Sequence, residues 1–156
     1  MTITRKEFIA STAAFAVSPM LAADGRKMKT PLMLHTCLDT SLYAPPAAID
    51  AMLPVTDLWL PDYKADDDAL HVKFTGVSNK VIRENLKRLV AAKAKMEVRC
   101  LAVPSCTDGA DLAARHAYLN EIGIPESSIV NLEYFDYARS KYLALGLPDT
   151  MPPKGA

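Results

Sequence analysis

The stretch Glu97-Val98-Arg99-Cys100-Leu101-Ala102-Val103-Pro104 decides the fold class of this chain. After its first residue it is nearly all apolar except for one arginine, and it ends at a proline. We therefore expect a buried strand over residues 97–103. Thr107 or Asp108 can then cap a helix that follows this strand and ends at Gly123. A strand followed by a helix is one repeating unit of an α/β fold.

The same alternation continues on both sides of this unit. Apolar runs over residues 32–38 and 57–61 predict two earlier strands, and residues 129–134 predict a later one. The other predicted helices begin at Pro45-Pro46, at Ser78-Asn79 and near Lys141. Apolar faces of two helices are formed by Ile82, Leu86, Leu89 and Val90, and by Leu112, Leu119 and Ile122. Because strands alternate with helices, we predict an α/β fold of about four parallel strands joined by right-handed crossovers.

The composition predicts one folded domain. The chain has 156 residues, of which 50% are hydrophobic and 23% are charged, which is enough to form a core. Its 18 basic residues balance its 18 acidic residues, and this argues against a nucleic-acid-binding or membrane-surface-binding protein. The sequence contains no apolar run of the roughly 18 residues that a membrane-spanning helix needs, so no membrane span is predicted.

The first thirty residues have the pattern of an export signal. Arg5 and Lys6 precede an apolar stretch over residues 8–17, and small residues follow near Ala23. The pair of cations resembles the twin-arginine type of signal, with lysine in place of the second arginine. The alternative is an ordinary amphipathic or disordered N-terminal segment. We therefore expect a leader over residues 1–30, the folded part over residues 31–150, and a tail over residues 151–156.

Polar side chains occur where the predicted strands end. Asp39 and Thr40 follow the first strand, Asp62 and Lys64 follow the second, and Arg99 lies inside the third. In parallel α/β folds, working residues lie just past the carboxyl ends of the strands. Two interpretations stay open, namely internal ion pairs among these groups or a site for a ligand that carries both a carboxylate and an amine.

Several ordered motifs carry a resemblance to a known family. They are His35-Thr36-Cys37-Leu38-Asp39-Thr40, Val55-Thr56-Asp57-Leu58 leading to Asp62-Tyr63-Lys64, Phe74-Thr75-Gly76-Val77-Ser78-Asn79, the third strand with Pro104, and Lys141-Tyr142-Leu143-Ala144-Leu145-Gly146. In this order they resemble the later barrel strands of the activating enzymes of glycyl-radical enzymes. The resemblance covers about residues 31–150. It implies the C-terminal part of a partial, six-stranded (β/α) barrel of the TIM-barrel kind.

The resemblance also implies a chemistry. The family consists of radical S-adenosylmethionine enzymes, oxidoreductases in which an iron–sulfur [4Fe-4S] cluster cleaves the cofactor and the radical takes hydrogen from a glycine of a partner enzyme. By resemblance, Asp62 and Lys64 would hold the methionine end of the cofactor, Arg99 would reach towards it, and Phe135 would stack on its adenine. The family's monovalent-cation site would be formed by Asp39, Thr40, Asp62 and the carbonyl oxygen of Leu60. The family acts in the cytoplasm, which conflicts with an export leader.

Departures from the family pattern are as informative as the matches. The Cys-x3-Cys-x2-Cys loop that holds the cluster is absent, because Cys37, Cys100 and Cys106 have other spacings, so no [4Fe-4S] ligands are predicted here. The glycine-rich segment that binds the amino group of the cofactor is absent too. We therefore expect a truncated activating enzyme that is inactive alone. The alternative is a non-catalytic remnant, possibly exported, that binds S-adenosylmethionine or a glycyl-radical enzyme. The open sheet edge would favour self-association.

Overall fold

The computed structural model describes residues 35–153 of the chain. Four short strands alternate with five helices in this part of the chain. The strands are β1 (Cys37–Thr40), β2 (Leu58–Pro61), β3 (Val98–Leu101) and β4 (Ile129–Leu132). The helices are α1 (Pro46–Met52), α2 (Asp68–Thr75), α3 (Lys80–Ala91), α4 (Gly109–Glu121) and α5 (Arg139–Ala144). Two 3-10 turns, Leu53–Val55 and Glu126–Ser128, precede β2 and β4.

All of the strand pairings are parallel. Strand β1 pairs with β2, and β3 pairs with β4, each over four residues. Strands β2 and β3 are linked by two parallel bridges, Trp59 with Met96 and Asp62 with Arg99. The amide of Tyr63 donates to the carbonyl oxygen of Arg99 at 2.9 Å and strengthens the second bridge. The strands therefore lie in chain order, and the predicted α/β class with parallel strands is confirmed.

The strands are shorter than the apolar runs predict. The third run extends to Val103, but β3 ends at Leu101 because the carbonyl oxygen of Val103 accepts from the amides of Cys106 and Thr107 in a turn. The fourth strand likewise ends at Leu132 rather than residue 134. The first strand ends later than predicted, since Asp39 and Thr40 lie within β1 rather than after it, and the predicted residues 32–34 lie outside the described part of the chain.

The core is formed by the inner strands and one face of α3. Trp59 of β2 and Val98 of β3 are completely buried. The predicted apolar face of α3 is buried at Ile82, Leu86 and Leu89, while Val90 is half-buried. The face of α4 differs from the prediction. Leu119 is buried as expected and Leu112 and Ile122 are half-buried, but the buried side chains also include Tyr118 and a charged residue, Arg115.

Helix α2 begins with a side-chain cap. The aspartate run 66–68 lies at the start of this helix. The carboxylate of Asp67 accepts from the amide of Leu70 at 2.7 Å, and Asp68 occupies the first turn. Both carboxylates favour the helix N-terminus, one by hydrogen bonding and one by the helix dipole.

Removal of this cap is expected to weaken the fold modestly. We expect Asp67→Ala to lower the free energy of unfolding by about 1 kcal/mol, because one amide at the start of α2 loses its partner. Asp67→Asn keeps a capping oxygen and serves as the control. Urea unfolding followed by the fluorescence of Trp59, the single tryptophan, measures both variants. Equal losses in the two variants would contradict a capping role.

The predicted leader over residues 1–30 lies outside the described residues. In the part of the chain that the structure describes, no helix is long and apolar enough to cross a membrane.

Candidate functional site at the carboxyl ends of the strands

Four charged side chains meet where β1, β2 and β3 end. Arg99 donates from Nε to Oδ1 of Asp62 at 2.9 Å, and its Nη2 lies 2.7 Å from the same oxygen. The same guanidinium donates to Oδ1 of Asp39. On the other side, Nζ of Lys64 donates to Oδ2 of Asp62 at 3.1 Å. We call Asp39, Arg99, Asp62 and Lys64 the charge cluster. The ion-pair interpretation of the sequence is thus realised in the structure.

The strand register explains why these residues meet. Asp39 of β1 lies opposite Leu60 of β2, and Asp62 lies opposite Arg99 of β3. Asp62 is fixed further because its amide donates to the carbonyl oxygen of Thr40 at 2.8 Å. Asp39, Asp62 and Arg99 therefore occupy defined register positions, and Lys64 follows two residues after Asp62.

The electrostatics of the charge cluster keep Arg99 charged. Burial alone would lower the pKa of Arg99, but hydrogen bonds from its guanidinium to Asp39 and Asp62, together with their negative charges, raise it above its ordinary value. The arginine side chain is 22% exposed, whereas those of Asp39 and Lys64 are 63% and 49% exposed. The outer members of the cluster are therefore open to a ligand while the central arginine is shielded.

The monovalent-cation site implied by the resemblance shares Asp39 and Asp62 with the charge cluster. Asp39, Thr40 and the carbonyl oxygen of Leu60 occupy neighbouring register positions, and Asp62 follows directly. The guanidinium of Arg99 already bonds to both carboxylates, so a cation would have to share these oxygens with it. Within residues 35–153, no three His, Cys, Asp or Glu side chains are grouped closely enough to hold a metal ion.

A cavity of about 450 Å3 opens beside Lys64. Its walls come from the ends of β3 and β4, from α2 and α5, and from the segment near residue 151. Most of the lining side chains are apolar or aromatic, including Phe74, Leu101, Val103, Tyr134, Tyr142 and Met151. Lys64 is therefore the one residue of the charge cluster that also lines this cavity, and it brings a positive charge to an apolar space.

The aromatic residues at the cavity differ from the one that the resemblance implied. Phe135 is 41% exposed and stacks on Tyr137, with ring centroids 5.0 Å apart and an interplanar angle of 8°. Tyr134, its neighbour, lines the cavity together with Tyr142 and Phe74. The adenine-stacking role of Phe135 stays a prediction.

A buried arginine on α4 hydrogen-bonds to the backbone next to the charge cluster, and sequence reasoning missed it. Arg115 is 0% exposed and donates to the carbonyl oxygens of Tyr63 at 3.0 Å and Leu101 at 3.1 Å, and also to that of Thr107. Its Nε lies 3.0 Å from Oδ2 of Asp111 on the same helix. This arginine therefore links the backbone that follows β2, at the residue before Lys64, to the end of β3.

Asp111 extends this buried pair to the loop after β2. Its Oδ1 accepts from the amide of Asp66 at 2.9 Å and from the amide of Asp67 at 3.3 Å. The only sequence signal for the pair is its spacing, since Arg115 falls between Leu112 and Leu119 on the inward face of α4. An arginine on an apolar helix face indicates either a partner carboxylate or a carbonyl-rich environment, and both are present here.

A second network holds the backbone around Lys64. The hydroxyl of the fully buried Tyr63 donates to Oδ1 of Asp66 at 2.8 Å, and Nη1 of Arg83 donates to the same oxygen at 2.6 Å. The guanidinium of Arg83 also lies over the ring of Tyr118, 3.5 Å from its centroid. Burial, followed by the hydrogen bond to Asp66, raises the pKa of Tyr63 well above its ordinary value. Tyr63, the residue before Lys64, is therefore neutral, and its position is fixed by hydrogen bonds.

The three cysteines do not fit an iron–sulfur cluster. Cys37 is exposed on β1, Cys100 is buried in β3, and Cys106 is half-buried at the cavity. Burial raises the pKa of Cys100 to about 11, which disfavours the thiolate that a cluster needs.

Comparison with known proteins finds relatives of similar sequence. No model of a known protein family matches the chain. The chain is 37% identical over 120 residues to the (2S)-3-sulfopropanediol dehydratase activating enzyme of Klebsiella oxytoca, with 76% of this chain and 38% of that enzyme aligned. It is 35% identical over 130 residues to the pyruvate formate-lyase 1-activating enzyme of Escherichia coli (strain K12), with 78% and 52% aligned.

A solved structure supports the same assignment at the level of the fold. A domain of the pyruvate-formate lyase-activating enzyme from Bacteroides vulgatus superposes with a TM-score of 0.57 and 22% sequence identity. The match covers 77% of this chain and 82% of that domain. At this identity the likeness concerns the fold alone.

Fold and site together define a parallel α/β protein with a charged, cavity-forming edge at the ends of its strands. The sequence matches then confirm the resemblance: the chain is a relative of the activating enzymes of glycyl-radical enzymes. It spans about half or less of the length of the two relatives described above.

Proposed function

We propose that this chain is the S-adenosylmethionine-binding part of a radical activating enzyme that acts on a glycyl-radical enzyme. The observation that carries the proposal is the charge cluster with Lys64 at the rim of an apolar cavity. The proposal includes the barrel assignment, in which the four strands in chain order form part of a partial (β/α)6 barrel. Relatedness to activating enzymes supports it.

The charge cluster has the groups that the methionine end of S-adenosylmethionine requires. That end carries a carboxylate and an ammonium group. Lys64 has three N–H donors and a side chain that is 49% exposed, so it can bind the carboxylate while it keeps its bond to Asp62. Asp39 is 63% exposed and can accept from the ammonium group. The mixed charges of the cluster thus complement a zwitterion.

The cavity suits the apolar and aromatic remainder of such a ligand. Phe74, Tyr134 and Tyr142 offer ring faces or edges to a flat heterocycle, and Leu101 and Val103 offer apolar contact. In the family, a [4Fe-4S] cluster supplies the electron for cofactor cleavage. The cysteines of this chain do not fit that cluster, so the function proposed for its own residues is to bind and orient the cofactor.

Calorimetric titration with S-adenosylmethionine tests the proposal. We expect saturable one-to-one binding by the full chain, and we expect Lys64→Ala to weaken it by about 1.5–3 kcal/mol, the range for a hydrogen bond to a charged group. That loss corresponds to roughly ten-fold to more than hundred-fold in the dissociation constant.

Lys87→Ala provides the matched control. Lys87 is also an exposed lysine paired with one carboxylate, Glu84 at 3.2 Å, but it lies on α3 away from the cavity lining. Binding to this variant should equal binding to the parent chain. No heat of binding, or equal affinity for the parent and Lys64→Ala, would overturn the proposed function.

A second candidate is favoured by the placement of the cysteines. A chain that binds the cofactor or a glycyl-radical enzyme without any cleavage would be a non-catalytic remnant. In either case a partner chain or a second copy could cover the outer strands, which among the described residues are β1 and β4. Sedimentation at increasing protein concentration distinguishes a self-associating chain from a monomer.

A further inference from the structure

The segment over residues 149–152 contributes to the wall of the cavity, and we call it the strap. Thr150, Met151 and Pro152 line the cavity, as do Lys64 and Cys106 from the strand-end loops. The strap belongs to neither a helix nor a strand, and it shares the lining with residues of α2, β3 and α5 and with the loops after the strands. Access to the cavity depends on how this segment is held.

Arg139, the first residue of α5, holds the strap by several hydrogen bonds. Its Nη2 donates to the carbonyl oxygens of Pro152 at 2.8 Å and Met151 at 3.2 Å, and its Nη1 donates to the carboxylate of Asp149. Its Nε donates to Asp136 at 2.7 Å, which orients the guanidinium. One side chain thus contacts three of the four strap residues.

Two further hydrogen bonds complete the attachment. The hydroxyl of Tyr134, a residue that itself lines the cavity, donates to the carbonyl oxygen of Pro152 at 2.8 Å. Within the strap, the amide of Met151 donates to Oδ1 of Asp149 at 2.9 Å. This bond, followed by the hydrogen bond from Arg139, holds the pKa of Asp149 below its usual range.

The attachment is polar and accessible to water. The side chains of Arg139 and Asp149 are 36% and 35% exposed, and α5 has no fully buried residue. Leu143 and Leu145 of the same region are 85% and 70% exposed. A segment that is held by solvent-accessible hydrogen bonds and few buried apolar contacts opens at a low free-energy cost, independently of the core.

We propose that the strap is a latch that closes the cavity, with Arg139 as the residue that fastens it. Release of the Arg139 contacts opens the cavity without unfolding the sheet, and their formation encloses the group bound beside Lys64. The inference concerns regulation of the proposed site and rests on the proposed function only for the identity of that group.

Alkylation of Cys106 measures the opening directly. Cys37→Ser removes the exposed thiol, which leaves the half-buried Cys106 at the cavity and the buried Cys100 in β3. In this background, Arg139→Gln is expected to raise the rate at which iodoacetamide labels Cys106 by about fivefold or more. Cys100 should stay protected in the same sample, which shows that the sheet has not unfolded.

Two other variants keep the test decisive. Arg88→Gln removes an exposed arginine–aspartate pair, with Asp50 at 3.1 Å, far along the chain from the strap, and should leave the Cys106 rate unchanged. Tyr134→Phe removes only the hydrogen bond to Pro152 and should raise the labelling rate of Cys106 by a smaller factor. This variant replaces Arg139→Gln in the test if Arg139→Gln fails to fold. Unchanged Cys106 rates in both strap variants would overturn the latch. Since labelling needs no cofactor, this failure is separate from a failure of the binding experiment.

Discussion

Asp111→Ala is expected to lower the free energy of unfolding by about 3–5 kcal/mol, because it leaves the guanidinium of Arg115 buried without its carboxylate. The same change removes the acceptor for the amides of Asp66 and Asp67. The loss is a large part of the 5–15 kcal/mol that a typical domain has in total. Urea unfolding monitored by tryptophan fluorescence measures it, and disappearance of the cooperative transition would be the extreme form of the same result.

The double variant Asp111→Ala/Arg115→Met identifies the cause. When both charges are replaced by apolar side chains, no uncompensated charge stays inside the protein, so stability should recover in part relative to the single variant. Recovery will be incomplete, because the carbonyl oxygens of Tyr63, Leu101 and Thr107 lose their common donor. A double variant that is less stable than Asp111→Ala would show that carbonyl bonding, and not charge pairing, is the main contribution of Arg115.

The second large effect concerns activity. After anaerobic incubation with iron and sulfide, the chain alone is expected to yield no 5′-deoxyadenosine from S-adenosylmethionine above a protein-free control. A cluster needs several thiolates that converge on one point, whereas Cys37 is exposed on β1 and Cys100 is buried in β3 with a raised pKa. Chromatography of the dithionite-reduced mixture measures the product, and iron analysis measures the cluster.

A full-length activating enzyme that is treated in the same way provides the positive control for the assay. Stoichiometric iron together with 5′-deoxyadenosine from this chain would contradict the prediction. Iron without product, which disappears in Cys106→Ser, would indicate adventitious binding at the cavity thiol. The binding experiment with Lys64→Ala is independent of this outcome, since the charge cluster contains no cysteine.

The sequence predicts the features that depend on local pattern. The face of α3 follows from the spacing of Ile82, Leu86 and Leu89, and the cap of α2 follows from its aspartate run. The charge cluster follows from the rule that strand ends meet at one edge, which brings Asp62 to Arg99 from well separated positions. The family follows from several short motifs in a fixed order, and the sequence matches confirm it.

Features that depend on tertiary contacts could not be read in advance. The spacing places Arg115 on the inward face of α4, but its partners are carbonyl oxygens at the ends of two strands, and these are known only once the strands are in place. The inclusion of Asp39 and Thr40 in β1 depends on pairing with β2, which extends a strand beyond its apolar run. The strap has no periodic pattern, and its position is set by Arg139, whose partners lie ten or more residues away.

The order of the strands has a consequence for how the chain folds. Each strand lies beside the one that precedes it in the sequence, with one helix in the connections β1–β2 and β3–β4 and two helices in the connection β2–β3. Closing a short loop costs less entropy than closing a long one. Proteins rich in contacts between sequence neighbours therefore reach the native state faster than those with distant pairings. We therefore expect the pairs β1–β2 and β3–β4 to form first, and the Trp59 bridge and the Arg115 carbonyl contacts to join them afterwards through β2 and β3.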